Sequence, residues 1–191
     1  AGRPVDRAEC PGAKGAQDPQ HLVDAGRTRI ATIAGPQDMP PGVDRLNGFT
    51  GVVAGAGLAD DLIDFGDFTA ASGAAAMHRL LERAPDLDGV FAANDQMAMG
   101  VYQAAAALGL DVPRDCSVLG VDDLDIVAAA LVPALTTIAL PHWAMGQWGM
   151  NMLLDMIGGF PPQMDEAADV AGSLLLRCEL VERGSVAPPA H

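Results

Sequence analysis

The chain has 191 residues, half of them hydrophobic, and a formal net charge of −14 from 25 acidic and 11 basic residues. That length holds one large domain or two small ones around a sizeable core. The acidity, with no Lys/Arg cluster and no basic-flanked helix-turn-helix pattern, excludes direct binding of a phosphate backbone by this polypeptide. No apolar stretch is long enough to span a bilayer and no signal-peptide pattern opens the sequence, so no membrane partner is expected and the cytoplasm is the expected location. Cys10, Cys116 and Cys178 lie far apart without CxxC or His/Cys spacing. No metal site is expected from them, and buried free thiols in a reducing compartment are.

In chain order, residues 1–19 are rich in Gly, Pro and Ala without a period of 2 or 3.6, which predicts an irregular lead-in. A short helix runs to Val23 and stops near Gly26. Residues 29–34 form an apolar strand closed by Gly35 and Pro36. Residues 41–56 carry Val43, Leu46, Phe49 and Val53 at helical spacing. A strand at 62–65 and a helix at 70–83, with Met77, Leu80 and Leu81 inward, come next. Then follow a strand at 89–93, a helix at 95–108 stopped by Gly109, a strand at 117–121 and a helical turn around 126–130. A strand at 136–140, a helix at 142–157 ended by Gly158 and Gly159, and a strand at 173–183 complete the alternation. Repeated strand–helix units predict an α/β fold, a parallel sheet with helices on both faces.

Ligands of such sheets sit beyond the carboxyl ends of the strands, so polar residues there are the candidates. Asn94 follows a strand, and its amide both donates and accepts; it suits a ligand hydroxyl or a helix cap. Asp95 opens a helix and reads as a cap. Asp122 and Asp123 close another strand, where a carboxylate can accept from vicinal hydroxyls or simply make a turn. Arg45 offers a planar fork to a carboxylate, a phosphate or paired hydroxyls, or is a surface arginine. Phe68 stacks on a sugar face or sits at the core edge. Thr69 or Ser72 starts the next helix as a cap. Trp143 and Trp148 are five apart, on different helical faces, which points to packing or a subunit contact. His142 has no paired nucleophile or second histidine. No catalytic residue, metal site, cofactor motif or GxGxxG emerges.

The segments FAANDQMAMG at 91–100, VLGVDD at 118–123 and PALTT at 133–137 closely resemble the effector-binding half of the LacI/GalR family of transcriptional regulators. HLVDAGRTRI at 21–30, IAGP at 33–36, RLNGF at 45–49, GDFTAASG at 66–73, VPRD at 112–115 and MG at 145–146 follow the family's order. The resemblance implies a periplasmic-binding-protein-like fold, two α/β subdomains clamping a small molecule. It implies a complete C-terminal subdomain at 20–140 and 171–191, and a partial N-terminal one, represented by a returning segment at 141–170. The family's ligand-binding residues fall on Arg45, Phe68, Asn94 and Asp122. Leu140 stands where glutamine is frequent and Pro41 where a hydroxyl residue is, which implies a less hydroxylated effector. The implied function is sensing of a sugar or related metabolite by a transcriptional repressor, with allosteric control of DNA binding. The implied assembly is a homodimer, carried by apolar positions of the helix at 95–108 and the following strands. DNA would be bound only through a helix-turn-helix domain absent from this chain. The alternative is a solute-binding protein of a sugar transporter; an enzyme is not expected.

Overall fold

The computed structural model describes residues 19–158 and 178–189. The elements are α1 (Gln20–Asp24), β1 (Ile30–Ala34), α2 (Pro40–Gly55), β2 (Ile63–Phe65), α3 (Ala70–Arg83), β3 (Gly89–Ala92) and α4 (Asp95–Leu108), then β4 (Ser117–Asp122), α5 (Asp125–Ala128), β5 (Thr136–Ala139), α6 (His142–Gly158) and β6 (Glu179–Val181). The strands form one sheet in the order β2-β1-β3-β4-β5-β6. Pairings from β2 through β5 are parallel, as the alternating pattern predicts. The last differs: β6 runs antiparallel to β5, pairing Leu180 with Ile138. Of the predicted strand at 173–183, residues 173–177 lie outside the described residues, as do the lead-in at 1–18 and the stretch at 159–170.

Strand alternation divides the core between the two sheet faces. On one face Ala31, Ile33, Val90, Ala92 and Val118 meet Met77 and Leu80 of α3 and Met97 and Val101 of α4. On the other, Ile30, Phe91, Leu119, Val121 and Ile138 meet Leu22 of α1 and Phe49 and Val53 of α2. The Phe49 and Phe91 rings stack with centroids 6.4 Å apart. Along α2, Phe49 and Val53 are buried as their spacing predicts, together with Val52, whereas Val43 and Leu46 are half-buried.

Along α4, Met97, Ala98, Gly100, Val101, Tyr102, Ala104 and Ala105 are buried inside the domain, whereas Met99 is half-buried and Ala106, Ala107 and Leu108 are exposed. By contrast, none of the residues of α6 is buried, and Trp143 is 84% exposed. Trp148 is half-buried. Cys116 is a buried free thiol as expected, and burial pushes it up to about 12. Cys178 is disulfide-bonded, which overturns its reading as a free thiol. Distance along the sequence carries no information on proximity in space. It also sits just before β6 rather than inside a strand.

The C-terminal segment is sewn to the amino ends of the strands. Ser185 is fully buried; its hydroxyl donates to the Val118 carbonyl at 2.6 Å and accepts from the Thr136 amide at 2.7 Å. The Arg27 guanidinium, 2% exposed, donates to backbone carbonyls of Pro113 and Ala187. These bonds anchor the end of the sheet opposite the strand tips.

Helices α3 and α4 touch through backbone. A Cβ on Gly100 would lie 2.0 Å from the Ala70 carbonyl oxygen, whereas one on Gly51, in exposed α2, meets nothing within 4 Å. Gly100→Ala should therefore destabilise by about 2 kcal/mol, overpacking outweighing the helix propensity gained. Gly51→Ala should stabilise by roughly 0.5–1 kcal/mol. Urea unfolding of both variants checks the opposite signs.

Candidate functional site

The carboxyl ends of β1, β2, β3, β4 and β5 deliver Gly35, Gly66, Ala93, Asp122 and Leu140 to one edge of the sheet. Arg45 reaches this edge from α2. Its guanidinium donates to the Ala93 carbonyl through one nitrogen and lies 3.3 Å from Asp122 Oδ1 through the other. Both side chains are 18% exposed, so the pair is partly shielded from water while remaining accessible. Burial raises the Asp122 carboxyl above its ordinary value; the charge of Arg45, then of His142, pulls against that rise.

Asn94 is the N-cap of α4. Its extended backbone lets Oδ1 accept from the Met97 amide at 2.9 Å. Its Nδ2 donates to the Phe68 carbonyl at 3.1 Å. The ligand candidate thus already performs two structural tasks, which leaves one Nδ2 hydrogen free of them. Phe68 adopts a φ of 68°, rare for a side chain branching to a ring, and its ring lies against Gly35, where no Cβ intervenes. The turn that carries it is braced. The Asp67 carboxylate accepts from the Thr69 hydroxyl at 2.6 Å and its amide at 3.1 Å, and the Asp67 amide donates to Ser72 Oγ at 3.0 Å. Bonds from Thr69, then Ser72, hold the Asp67 carboxyl down to about 2. Thr69 caps α3, accepting from the Ser72 amide, as one of the two sequence alternatives had it.

The four sequence-predicted residues therefore stand together: Arg45 on Asp122, Asn94 on Phe68, and the two pairs joined where Arg45 bonds the carbonyl of Ala93, next to Asn94. Of the two departures, Pro41 lies in the first turn of α2 and Leu140 follows β5. Asp95 is not a cap. Asn94 takes that role, and Asp95 turns inward to bond the Leu124 amide and the Thr137 hydroxyl. Sequence reasoning missed Thr137 and Arg183, which pairs with Asp123 at 2.7 Å. The signal for Thr137 was its place in a buried strand, where a hydroxyl needs a partner. Among the described residues, no cluster of three or more His, Cys, Asp or Glu is placed to hold a metal ion.

A fold of parallel strands whose polar tips converge on one edge is shared with known proteins. Residues 20–186 match the family model described as a periplasmic binding protein-like domain. The chain belongs to this family. Its relatives include the HTH-type transcriptional regulator CelR of Thermobifida fusca, 46% identical over 147 residues, which cover 76% of this chain and 43% of that protein. Another is the HTH-type transcriptional repressor CytR of Escherichia coli K12, 38% identical over 167 residues, 86% of this chain and 47% of that protein. Among solved structures, a CelR–cellobiose complex superposes with a TM-score of 0.81 at 41% identity, covering 91% of this chain and 51% of that one. A dimeric Lac repressor superposes with a TM-score of 0.84 at 29% identity, covering 95% and 64%. The chain spans about half the length of the curated relatives it matches. These relatives are LacI-type transcriptional regulators, in line with the resemblance of the sequence motifs. No helix among the described residues is long and apolar enough to cross a membrane.

Asn94→Ala should cost about 1–2 kcal/mol through loss of the cap, and the Phe68 turn should lose its tether with it. Denaturant unfolding gives the first effect, and amide exchange across residues 66–69 the second.

Proposed function

We propose that the chain is the effector-sensing part of a LacI-type transcriptional regulator, taking a sugar or related metabolite at the strand tips. The observation that carries this reading is the half-buried Arg45–Asp122 pair, set beside Asn94 and Phe68. Arg45 and Asp122 offer a donor fork and an acceptor pair to adjacent hydroxyls. The free Nδ2 hydrogen of Asn94 meets a third polar group, and Phe68 packs on the apolar face of the ring. Cellobiose, bound by a 41% identical relative, is the first ligand to test. Residues 20–140 and 171–191 form the C-terminal effector-binding subdomain, and residues 141–170 a returning part of the N-terminal one. An effector that binds open and closed arrangements unequally shifts their populations, and with them the affinity for DNA.

In this reading the regulator is a cytoplasmic homodimer. It touches DNA through a helix-turn-helix domain outside these residues, and it binds its effector without turnover. The relatives favour a regulator over a transporter's solute-binding protein. In the intact regulator, Arg45→Ala and Asp122→Ala should each weaken cellobiose binding by ~1.5–3 kcal/mol, the loss of a hydrogen bond to a charged group. Calorimetric titration measures it. Wild-type affinity in both variants would overturn the site, and binding of ribose but not cellobiose would reassign the ligand.

A further inference from the structure

Asp95 is fully buried, yet among the described residues none of its hydrogen bonds comes from a basic side chain. Its Oδ1 accepts from the Thr137 hydroxyl at 2.6 Å and its Oδ2 from the Leu124 amide at 2.8 Å. The carboxylate fits against β4 because position 120 is glycine; a Cβ there would lie 2.4 Å from Oδ1. Leu124 directly follows Asp122 and Asp123, whose φ values of 120° and 56° are both unfavourable for residues with a side chain. Such a turn persists only when its surroundings hold it, and the bond to Asp95 grips it just past its second strained residue.

We infer that Asp95 is the positioning residue of this site: by holding Leu124 to β5, it fixes the strained turn that aims Asp122 at Arg45. The effect on affinity rests on the reading of Arg45 and Asp122 as ligand-binding groups; the effect on the turn does not.

The grip depends on ionisation. Burial, more than any other cause, pushes the Asp95 carboxyl up to about 6; the bonds from Thr137 and Leu124 pull it back, and the like charges of Asp122 and Asp123 add to the rise. The cations facing this cluster are engaged by its other members. Arg45 from α2 pairs with Asp122, His142 at the start of α6 acts on Asp122, and Arg183 beyond β6 pairs with Asp123. Ionised Asp95 accepts on both oxygens. Once protonated, Oδ1 donates to the Thr137 hydroxyl instead of accepting from it, and Oδ2 still accepts from Leu124 but as a neutral oxygen, so that bond weakens. The signs then oppose. Because its folded-state value is raised from 3.8, Asp95 favours the folded state at low pH, and that contribution is lost as pH rises through about 6. Ligand affinity instead rises with pH through the same value.

The test uses the intact regulator with cellobiose as probe, titrated from about pH 5 to about pH 8. Amide exchange at Leu124 is read in parallel. In Asp95→Asn, whose neutral amide oxygen replaces the charged acceptor at Leu124, Leu124 exchange should accelerate about 10-fold and cellobiose binding weaken by a similar factor. The affinity rise near pH 6 should flatten. Unchanged Leu124 protection, or an unchanged pH profile, overturns the inference. If Asp95→Asn fails to fold, Thr137→Val decides. Removing the hydroxyl donor should move the pH step in Leu124 exchange upward, and an unmoved step overturns the inference. If cellobiose does not bind even the wild type, the proposed ligand falls, while the exchange measurements still decide the role of Asp95.

Discussion

The turn from β3 into α4 buries two adjacent polar side chains, and the carboxyl edge of the sheet is organised around them. Asn94 is 7% exposed and Asp95 fully buried. An unpaired amide or carboxylate in such a place costs several kcal/mol, so each must find partners, and the partners available are the neighbouring loops. Asn94 takes the Phe68 carbonyl on one side and the Met97 amide on the other. Asp95 takes the Leu124 amide and the Thr137 hydroxyl. The desolvation of two residues is thereby converted into the relative placement of the loops after β2 and β4. Among the described residues, no buried side-chain nitrogen or oxygen lacks a partner.

The same constraint explains where the backbone is strained. Among the described residues, the non-glycine positions at positive φ are Phe68, Asp122 and Asp123, all at the two turns that Asn94 and Asp95 hold. Each such residue costs on the order of 1–3 kcal/mol and persists only where its surroundings over-determine it. The surroundings here are hydrogen bonds to buried groups, the Thr69 and Ser72 bracing at Asp67, and the Arg183–Asp123 pair. Strain concentrated at strand tips and compensated from below is how a rigid sheet presents side chains that its own geometry does not aim. The opposite end of the sheet, where Arg27 and Ser185 bind backbone carbonyls, is built for anchorage.

Much of this was legible in the sequence. The strand–helix alternation follows from hydrophobic period and from stops at Gly35, Pro36 and Gly109, and these local signals survive folding where an element buries its own apolar face, as β1, β3, β4, α3 and α4 do. The candidates Arg45, Phe68, Asn94 and Asp122 were legible as residue types placed just past apolar runs and through the family's motif order. The roles of Asp95 and Thr137 were not. A carboxylate at a helix start looks like a cap whether it turns back on its own helix or inward to a neighbouring strand.

The sequence by itself determined the order of the elements, the chemistry available at the strand ends and the strongly acidic charge balance, because these depend on composition and on neighbours along the chain. Only the tertiary structure decided which tips meet. The spatial order β2-β1-β3-β4-β5-β6 is not the sequence order. It sets β3 between β1 and β4, so that Asn94 and Asp95 stand within reach of the loops on either side. It also settled the antiparallel course of β6 and the pairing of Arg45 with Asp122, 77 positions apart. Such contacts arise from packing the sheet as a whole, and no local pattern encodes them.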